Sequence, residues 1–514
     1  MKHLKKVIAL VLTLVTAFAM ATPAFAADGD QLATPESTIE ATGLTAGDTA
    51  EAFQLVEWKD GNWALTTLGA SCGVDLDDLI DGISAEEAAT IAENVSGSGI
   101  AMNEANGKWT ATNVAAGLYY VKATPADDNK DTVYNPAFVS ADYKEGGNTV
   151  DFSTAYENST VVKSSSVPFD KEVNSETDDY VDVKPGDVIP FKVTTTIPSY
   201  GAQFTNPQFK VEDTLSEGLK LDGDVTVTYG DKSATESNDD VTITKSDSGY
   251  TVEFKADYLT GLNGATPNVE ITYSAEVTTA AANNVTYMDN KAKLTFSNTP
   301  TTTQDKEDIT RHYTFSIDAN LNGGNHGSEK TRELIKIGVD ENGETITDFT
   351  SWVEGEEWTT YQPLGGATFK LTDADGNEWT AESTAEGYIS FNGLDAGTYT
   401  LTETAAPAGY VKDSTSYTVV ITPTYDGDVL QSYTVTVNDS ESSYTITNMS
   451  DTDATVETTV DNSSMTFPFV NTKGSELPST GGMGTKILYT IGGLMVAAGG
   501  VFLAAKKRMN TIQE

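Results

Sequence analysis

Tyr417-Thr418-Val419-Val420-Ile421 and Tyr433-Thr434-Val435-Thr436-Val437 flank the turn signal Asp426-Gly427. Both runs alternate with a period of two and are rich in β-branched and aromatic residues, so they read as neighbouring strands of a hairpin. The same texture extends outward from Ala27 to Gly474, with further turn signals at Asp60-Gly61, Asn342-Gly343 and Asp375-Gly376. Helical periodicity is scarce, and Ala85–Asn94 (AEEAATIAEN) is its best instance. The reading is an all-β chain of tandem immunoglobulin-like β-sandwich modules.

An internal repeat divides the body. Ala52-Phe53-Gln54-Leu55, followed by Asp60-Gly61-Asn62-Trp63, returns as Thr368-Phe369-Lys370-Leu371, followed by Asp375-Gly376-Asn377 and Trp379. Ala116-Gly117-Leu118-Tyr119-Tyr120-Val121 returns as Ala396-Gly397-Thr398-Tyr399-Thr400-Leu401. The first and last modules are therefore expected to be related, with a different module between them. Boundaries are expected near Ser164–Ser166, in the Asn298–Thr303 stretch and after Asn471. This gives modules at 27–164, 165–303 and 304–474.

Composition narrows the function. Of 514 residues, 31 are basic and 76 acidic, giving a net charge of −45, which disfavours nucleic acid and anionic membrane surfaces. One cysteine, Cys72, excludes an internal disulfide framework, and three histidines (His3, His312, His326) leave little for a histidine-based catalytic or zinc site. Asp373-Ala374-Asp375-Gly376 invites a calcium-loop reading, but the spacing would require an oxygen ligand at Leu371. A hairpin turn explains the same residues, and neither metal nor cofactor is expected.

Both ends read as addresses. Lys2, Lys5 and Lys6, the apolar run Val7–Ala21 and Ala24-Phe25-Ala26 make residues 1–26 a signal peptide. At the other end stands Leu477-Pro478-Ser479-Thr480-Gly481, within residues 475–481. It precedes the apolar run Ile487–Ala505 and the basic tail 506–514, which carries Lys506, Lys507 and Arg508. That run would span about 28 Å as a helix, enough to cross a bilayer with its basic end inside. This order resembles the cell-wall sorting signal of Gram-positive surface proteins. The resemblance implies that a sortase thiol attacks the Thr480 carbonyl, releases Gly481 onward and attaches the chain to peptidoglycan. The body from 27 to 481 then holds 24 basic (31 minus 7) and 75 acidic (76 minus 1) residues, a net of −51.

Several ionisable residues fall in register with core side chains. In the middle module Lys171 shares parity with Phe169 and Val173, Asp213 with Phe209, Val211 and Leu215, and Asn290 with Met288, Ala292, Leu294 and Phe296. In the last module Glu403 aligns with Tyr399 and Leu401, and Asn471 with Phe467 and Phe469. Lys336 aligns with Leu334, although Ile335 and Ile337 make the opposite face equally apolar. A buried salt bridge or a strand end would account for one such residue, but two Lys–acid–Asn sets in the same chain order suggest chemistry. Burial lowers a lysine pKa and raises a carboxyl pKa. A neutral amine is a nucleophile, and a protonated carboxyl polarises an amide and returns a proton to departing ammonia. The expected product is a Lys–Asn isopeptide bond between the first and last strands of one module, formed without an external enzyme.

The chain resembles the backbone pilins of Gram-positive, sortase-assembled pili. The last module is similar to a collagen-adhesin B-type domain through Gly366-Ala367-Thr368-Phe369-Lys370-Leu371, Tyr399-Thr400-Leu401-Thr402-Glu403-Thr404-Ala405-Ala406-Pro407-Ala408-Gly409-Tyr410 and Phe469-Val470-Asn471. The middle of these segments matches the pilin E-box and makes Glu403 its acid. The middle module resembles the A-type domain, with Asp213 as acid in Asp213-Thr214-Leu215-Ser216-Glu217-Gly218-Leu219. Its rival Glu276 falls on the polar parity with Thr272 and Ser274. Aligning the Ala-Gly repeats puts Ala123 where Glu403 stands, so no isopeptide bond and a lower stability are expected in the first module.

The resemblance implies a non-enzymatic shaft subunit, secreted and displayed at the cell wall. Thr480 would be joined to a lysine of the next identical subunit, with tip and base pilins as further partners. The family's linking-lysine context, Tyr-Pro-Lys-Asn, is absent. Lys163 in Thr160-Val161-Val162-Lys163-Ser164-Ser165-Ser166 occupies the equivalent place, and Lys144 is the runner-up. The competing readings are a monomeric wall-anchored adhesin for a host or matrix ligand and a secreted hydrolase. The hydrolase lacks a metal set or nucleophile elbow.

Overall fold

The computed structural model describes residues 37–474, apart from 146–147, 174–178, 202, 283–287, 318–333, 340–361, 386, 439, 448–456 and 462–466. The expected signal peptide, Asn342-Gly343, the sorting motif 475–481, the apolar run 487–505 and the basic tail lie outside the described residues. No helix among the described residues is long and apolar enough to cross a membrane.

The chain divides into two compact units, 1–165 with 200–205, and 166–199 with 206–514. In the first unit seven strands form one sheet in the order Ser159–Val161, Ser37–Thr42, Lys108–Val114, Ile100–Ala105, Thr49–Gln54, Gly117–Thr124 and Ala137–Ala141. Gly117–Thr124 is buried on both faces over its first five residues, because a separate core covers each side. One core gathers Ile39, Trp109, Tyr119 and Val139. The other gathers Phe53, Leu55, Leu79, Ile91 and the fully buried Cys72. Ala85–Asn94 is a helix. Ser84 caps it, accepting from Glu87 N–H, while the Glu87 carboxylate accepts from Ser84 N–H. The short helices Thr67–Ser71, Leu76–Asp81 and Ala256–Gly261 lie below the length at which periodicity shows.

The second unit begins with a two-sheet sandwich. One sheet runs Phe169–Val173, Val188–Thr196, Asn268–Val277, Leu219–Tyr229, Lys232–Ala234. The other runs Tyr180–Asp182, Thr302–Tyr313, Met288–Thr299, Phe209–Leu215, Gly249–Phe254, Val241–Ser246. The Asn298–Thr303 stretch, expected to be a boundary, is instead the tight turn joining Met288–Thr299 to Thr302–Tyr313, which pair from Met288↔His312 to Thr299↔Thr302. Threonine and proline there close a hairpin, so the middle sheet runs on past residue 303 to Tyr313. The strand bearing Asn290 is thus the penultimate strand of its sheet's sequence, not the last.

Beyond Tyr313 the chain passes directly into Phe315–Ile317, which pairs with Phe391–Leu394. A seven-stranded sheet follows: Glu378–Glu382, Thr368–Thr372, Gly397–Ala405, Ser416–Asp426, Val429–Val437, Ser440–Thr447, Glu457–Asp461. Opposite it, Leu334–Val339 lies parallel to Phe467–Thr472 and antiparallel to Gln362–Pro363. The repeat seen in sequence has a structural counterpart. Tyr119 Oη donates to Ala115 O and Tyr399 Oη to Asp395 O, each at 2.7 Å, just after glycines with φ of 152° and 146°. The calcium reading of Asp373 meets a turn whose own groups occupy its carboxylate. Asp375 N and Asn377 N donate to Oδ1 and Asn377 Nδ2 to Oδ2.

The join within the second unit is polar and aromatic. Tyr313 Oη donates to Asp428 O at 2.9 Å, Arg311 pairs with Asp428, Tyr425 Oη donates to Asp182, and the Tyr180 and Tyr425 rings lie 4.2 Å apart. Burial pushes the Asp182 carboxyl up to about 6, against the opposing Tyr425 hydrogen bond. A carboxyl raised on folding favours the folded state when protonated. Its contribution is full below the unfolded pKa of about 4 and is lost as pH rises through about 6. Asp182→Asn is therefore expected to stabilise the unit at pH 7 by roughly 1–2 kcal/mol and to flatten the stability profile between pH 4 and 6. Calorimetry across that range checks it, and a variant less stable at pH 7 would contradict it.

Candidate functional site

Three strands bring the middle set together. Lys171 lies on Phe169–Val173, Asp213 on Phe209–Leu215 and Asn290 on Met288–Thr299, where alternation turns each inward. The first strand belongs to one sheet and the other two are neighbours in the facing sheet, with Asp213 opposite Ala292 and Leu215 opposite Asn290. Exposure is 0% for Lys171, 4% for Asp213 and 0% for Asn290. Lys171 Nζ forms an ion pair with Asp213 Oδ2 and lies 5.4 Å from the centre of the Phe191 ring. Glu276 is exposed and takes no part.

Burial pulls the Lys171 amine down against the opposing pull of Asp213, and pushes the Asp213 carboxyl up. Both shifts favour moving the proton from nitrogen to oxygen, which leaves a nucleophilic amine beside an acid. His312, wholly buried nearby, is driven down to about 3 by burial and then by Lys171, so it stays neutral. Tyr273 was not anticipated. It sits on the buried parity of Asn268–Val277 with Ile271 and Ala275, and its hydroxyl reaches all three members of the set. A tyrosine in line with core residues was the available signal, since a buried hydroxyl requires partners.

The last set has a different scaffold. Lys336 and Asn471 lie on adjacent parallel strands, where Lys336 pairs with Phe469 and Gly338 with Asn471. Glu403 comes from Gly397–Ala405, opposite Phe369. Exposure is 0%, 1% and 3% for Lys336, Asn471 and Glu403. Lys336 Nζ stands 3.1 Å from Glu403 Oε1, but off the direction a hydrogen bond requires. Asn471 Nδ2 donates to Glu403 Oε2 at 2.8 Å, and the backbone N–H of Asp413 donates to the same oxygen at 2.6 Å. Burial lowers the Lys336 pKa while Glu403 opposes it. Leu334 and Ile337 are buried as well as Lys336, so both faces of this strand are covered and alternation could not orient it.

The first unit has a different arrangement. Ala123 pairs with Ala50, and no lysine is buried among the unit's described residues. Its buried carboxylate, Asp48, was missed in the sequence. Burial would raise its pKa, but donors from Tyr134 Oη (2.5 Å), Ala126 N (2.8 Å), Asn129 Nδ2 (3.0 Å) and Thr45 N (2.9 Å) hold it below the usual range. A carboxylate so satisfied is a structural anchor, not an acid. Lys163 is exposed and follows the strand Ser159–Val161. Of Lys144 only the backbone is described, in Tyr143–Glu145.

Comparison with known proteins agrees with this architecture. Residues 470–510 match the LPXTG cell wall anchor motif, and residues 355–439 match the SpaA prealbumin-like fold domain. The trypsin-resistant surface T6 protein of Streptococcus pyogenes serotype M6 is 25% identical over 459 residues, covering 78% of this chain and 81% of that one. The structure of the T6 backbone pilin of the same serotype, a modular three-domain protein, superposes with a TM-score of 0.59 at 20% identity. It covers 87% of this chain and 100% of that one. The full-length major pilin SpaD of Corynebacterium diphtheriae gives a TM-score of 0.45 at 17% identity, covering 86% and 98%. The chain is a Gram-positive surface protein that carries a cell-wall anchor and is built of tandem β-sandwich modules. Along its length it is similar to the structural, non-enzymatic backbone pilins of sortase-assembled pili.

Proposed function

We propose that the protein is the shaft subunit of a covalently polymerised pilus, stapled internally by two self-formed isopeptide bonds. The observation that carries this reading is the pair of buried Lys–acid–Asn sets, Lys171–Asp213–Asn290 and Lys336–Glu403–Asn471, upstream of a wall-sorting signal. Each lysine amine attacks the asparagine Cγ, the carboxyl supplies and recovers protons, and ammonia leaves. Asp213 and Glu403 act as the acids. The modules are 27–164, one from 165 to beyond Tyr313, and one from there to 474. A sortase cleaves Leu477-Pro478-Ser479-Thr480-Gly481 after Thr480 and passes the acyl group to Lys163 of the next subunit, with peptidoglycan as the final acceptor. The result is a head-to-tail fibre, to which tip and base pilins would be joined.

Intact mass of the purified chain tests the internal bonds. Two ammonia molecules should be missing, and peptide mapping should find Lys171 joined to Asn290 and Lys336 to Asn471. A mass equal to the unmodified formula refutes them. Immunoblots of the wall fraction test assembly: a ladder supports the shaft, and a single band supports a monomeric wall-anchored adhesin.

A further inference from the structure

Tyr273 occupies a position that the Lys–acid–Asn scheme does not use. Its single hydroxyl accepts from Lys171 Nζ at 2.8 Å, accepts from Asn290 Nδ2 at 2.9 Å and donates to Asp213 Oδ2 at 2.7 Å. A tyrosine hydroxyl has one donor and two acceptor sites, so these three bonds saturate it. The nitrogen that must lose a proton and the nitrogen that must gain one are thus held on the same oxygen. The remaining oxygens, Asp213 Oδ1 and Asn290 Oδ1, are buried without hydrogen-bond partners. In the last set Asn471 Nδ2 donates directly to Glu403 Oε2, and no hydroxyl among the described residues bridges the three groups.

Resting on the isopeptide reading above, we propose that Tyr273 is the positioning residue of the middle cross-link, holding amine and amide together and bridging the proton path from Lys171 Nζ to Asn290 Nδ2. In the step, the Nζ–Cγ bond forms and the Cγ–Nδ2 bond breaks. One proton passes from Nζ to Nδ2 through the Tyr273 hydroxyl and Asp213, and ammonia departs. No redox partner is required. Burial keeps the Tyr273 phenol neutral, since its pKa is raised well above the usual value. It therefore acts by exchanging a proton, not as a phenolate base. Phe191, stacked on the Tyr273 ring at 5.2 Å, holds the ring in place without competing for the hydroxyl.

The test is Tyr273→Phe in the full-length chain, pulse-labelled during synthesis and followed by peptide mapping. The Lys336–Asn471 bond of the same molecule is the internal control. The Lys171–Asn290 bond is expected to form at least about ten-fold more slowly, below the usual contribution of a positioned proton-transfer group. The Lys336–Asn471 rate should be unchanged, and a folded, protease-resistant species lacking only the middle bond should accumulate. Its residual reaction should show a larger solvent deuterium isotope effect than wild type, which lost packing alone would not produce. Tyr250→Phe removes a second buried hydroxyl, on a ring packed edge-on against Tyr273 at 4.8 Å but outside the hydrogen bonds to Lys171, Asp213 and Asn290, and should cross-link normally. Wild-type speed in Tyr273→Phe overturns the proposal, as does equal slowing in Tyr250→Phe or a variant that fails to fold while Tyr250→Phe folds. Absence of the Lys171–Asn290 bond from wild type would overturn the isopeptide reading itself.

Discussion

Glu403→Ala is expected to yield a protein heavier than wild type by one ammonia relative to the sequence change, and a last module that melts about 10–20 °C lower. The proposed bond between Lys336 and Asn471 would close a loop of 135 residues (471 minus 336). Treated as a disulfide is treated, a closure of that size restricts the unfolded chain by roughly 5 kcal/mol. For a module of this length each kcal/mol corresponds to roughly 2–4 °C. Alanine also leaves Lys336 buried without the Glu403 carboxylate, a loss of the same order again if the module keeps its fold. Glu403→Gln separates the two effects, because the amide preserves shape but cannot lend a proton. It too should lack the bond. Calorimetry with intact mass decides the matter, and a Glu403→Gln protein that still loses the second ammonia would overturn the assignment of the acid. Under load the consequence is larger still. Without this bond, the chain between Lys336 and Asn471 would be free to pay out roughly 460 Å at about 3.4 Å per residue.

Lys163→Ala is expected to collapse the high-mass ladder of the wall fraction to monomer while leaving the subunit folded and attached to the wall. The reasoning is chemical. An acyl group held on a sortase needs an amine it can reach, and Lys163 is exposed. Exposed substitutions away from special features usually change stability by no more than about 0.5 kcal/mol, so loss of polymer could not be blamed on misfolding. Lys163→Arg should fail equally, because a guanidinium stays protonated and is no nucleophile. An unchanged ladder in both variants would remove Lys163 and turn attention to Lys144.

Most of the candidate site was legible in the sequence. Period-two alternation placed Lys171, Asp213, Asn290, Glu403 and Asn471 on core faces, and the structure finds each of them buried. Lys336 was ambiguous for a physical reason: its strand is buried on both faces, and alternation carries information only where one face meets water. The hairpin at Asn298–Thr303 was misread because a linker and a tight turn draw on the same residues, and only pairing partners tell them apart. Asp48 was missed because three of its four donors, Ala126, Asn129 and Tyr134, come from one segment 78 to 86 residues further along the chain, and only Thr45 is local.

The order of side chains along each strand fixed which groups would be buried, since facing direction is a local property of extended backbone. It determined the all-β character, the sorting signal and the identity of the amines, acids and amides. Which of these meet was decided only by tertiary structure, through sheet order and register. Those bring Lys171 of one sheet to Asp213 and Asn290 of the other, and set Lys336 and Asn471 on adjoining parallel strands. The Tyr273 hydroxyl belongs to the second kind. Parity could turn it inward, but only the packing of two sheets could place one oxygen within 3 Å of both nitrogens.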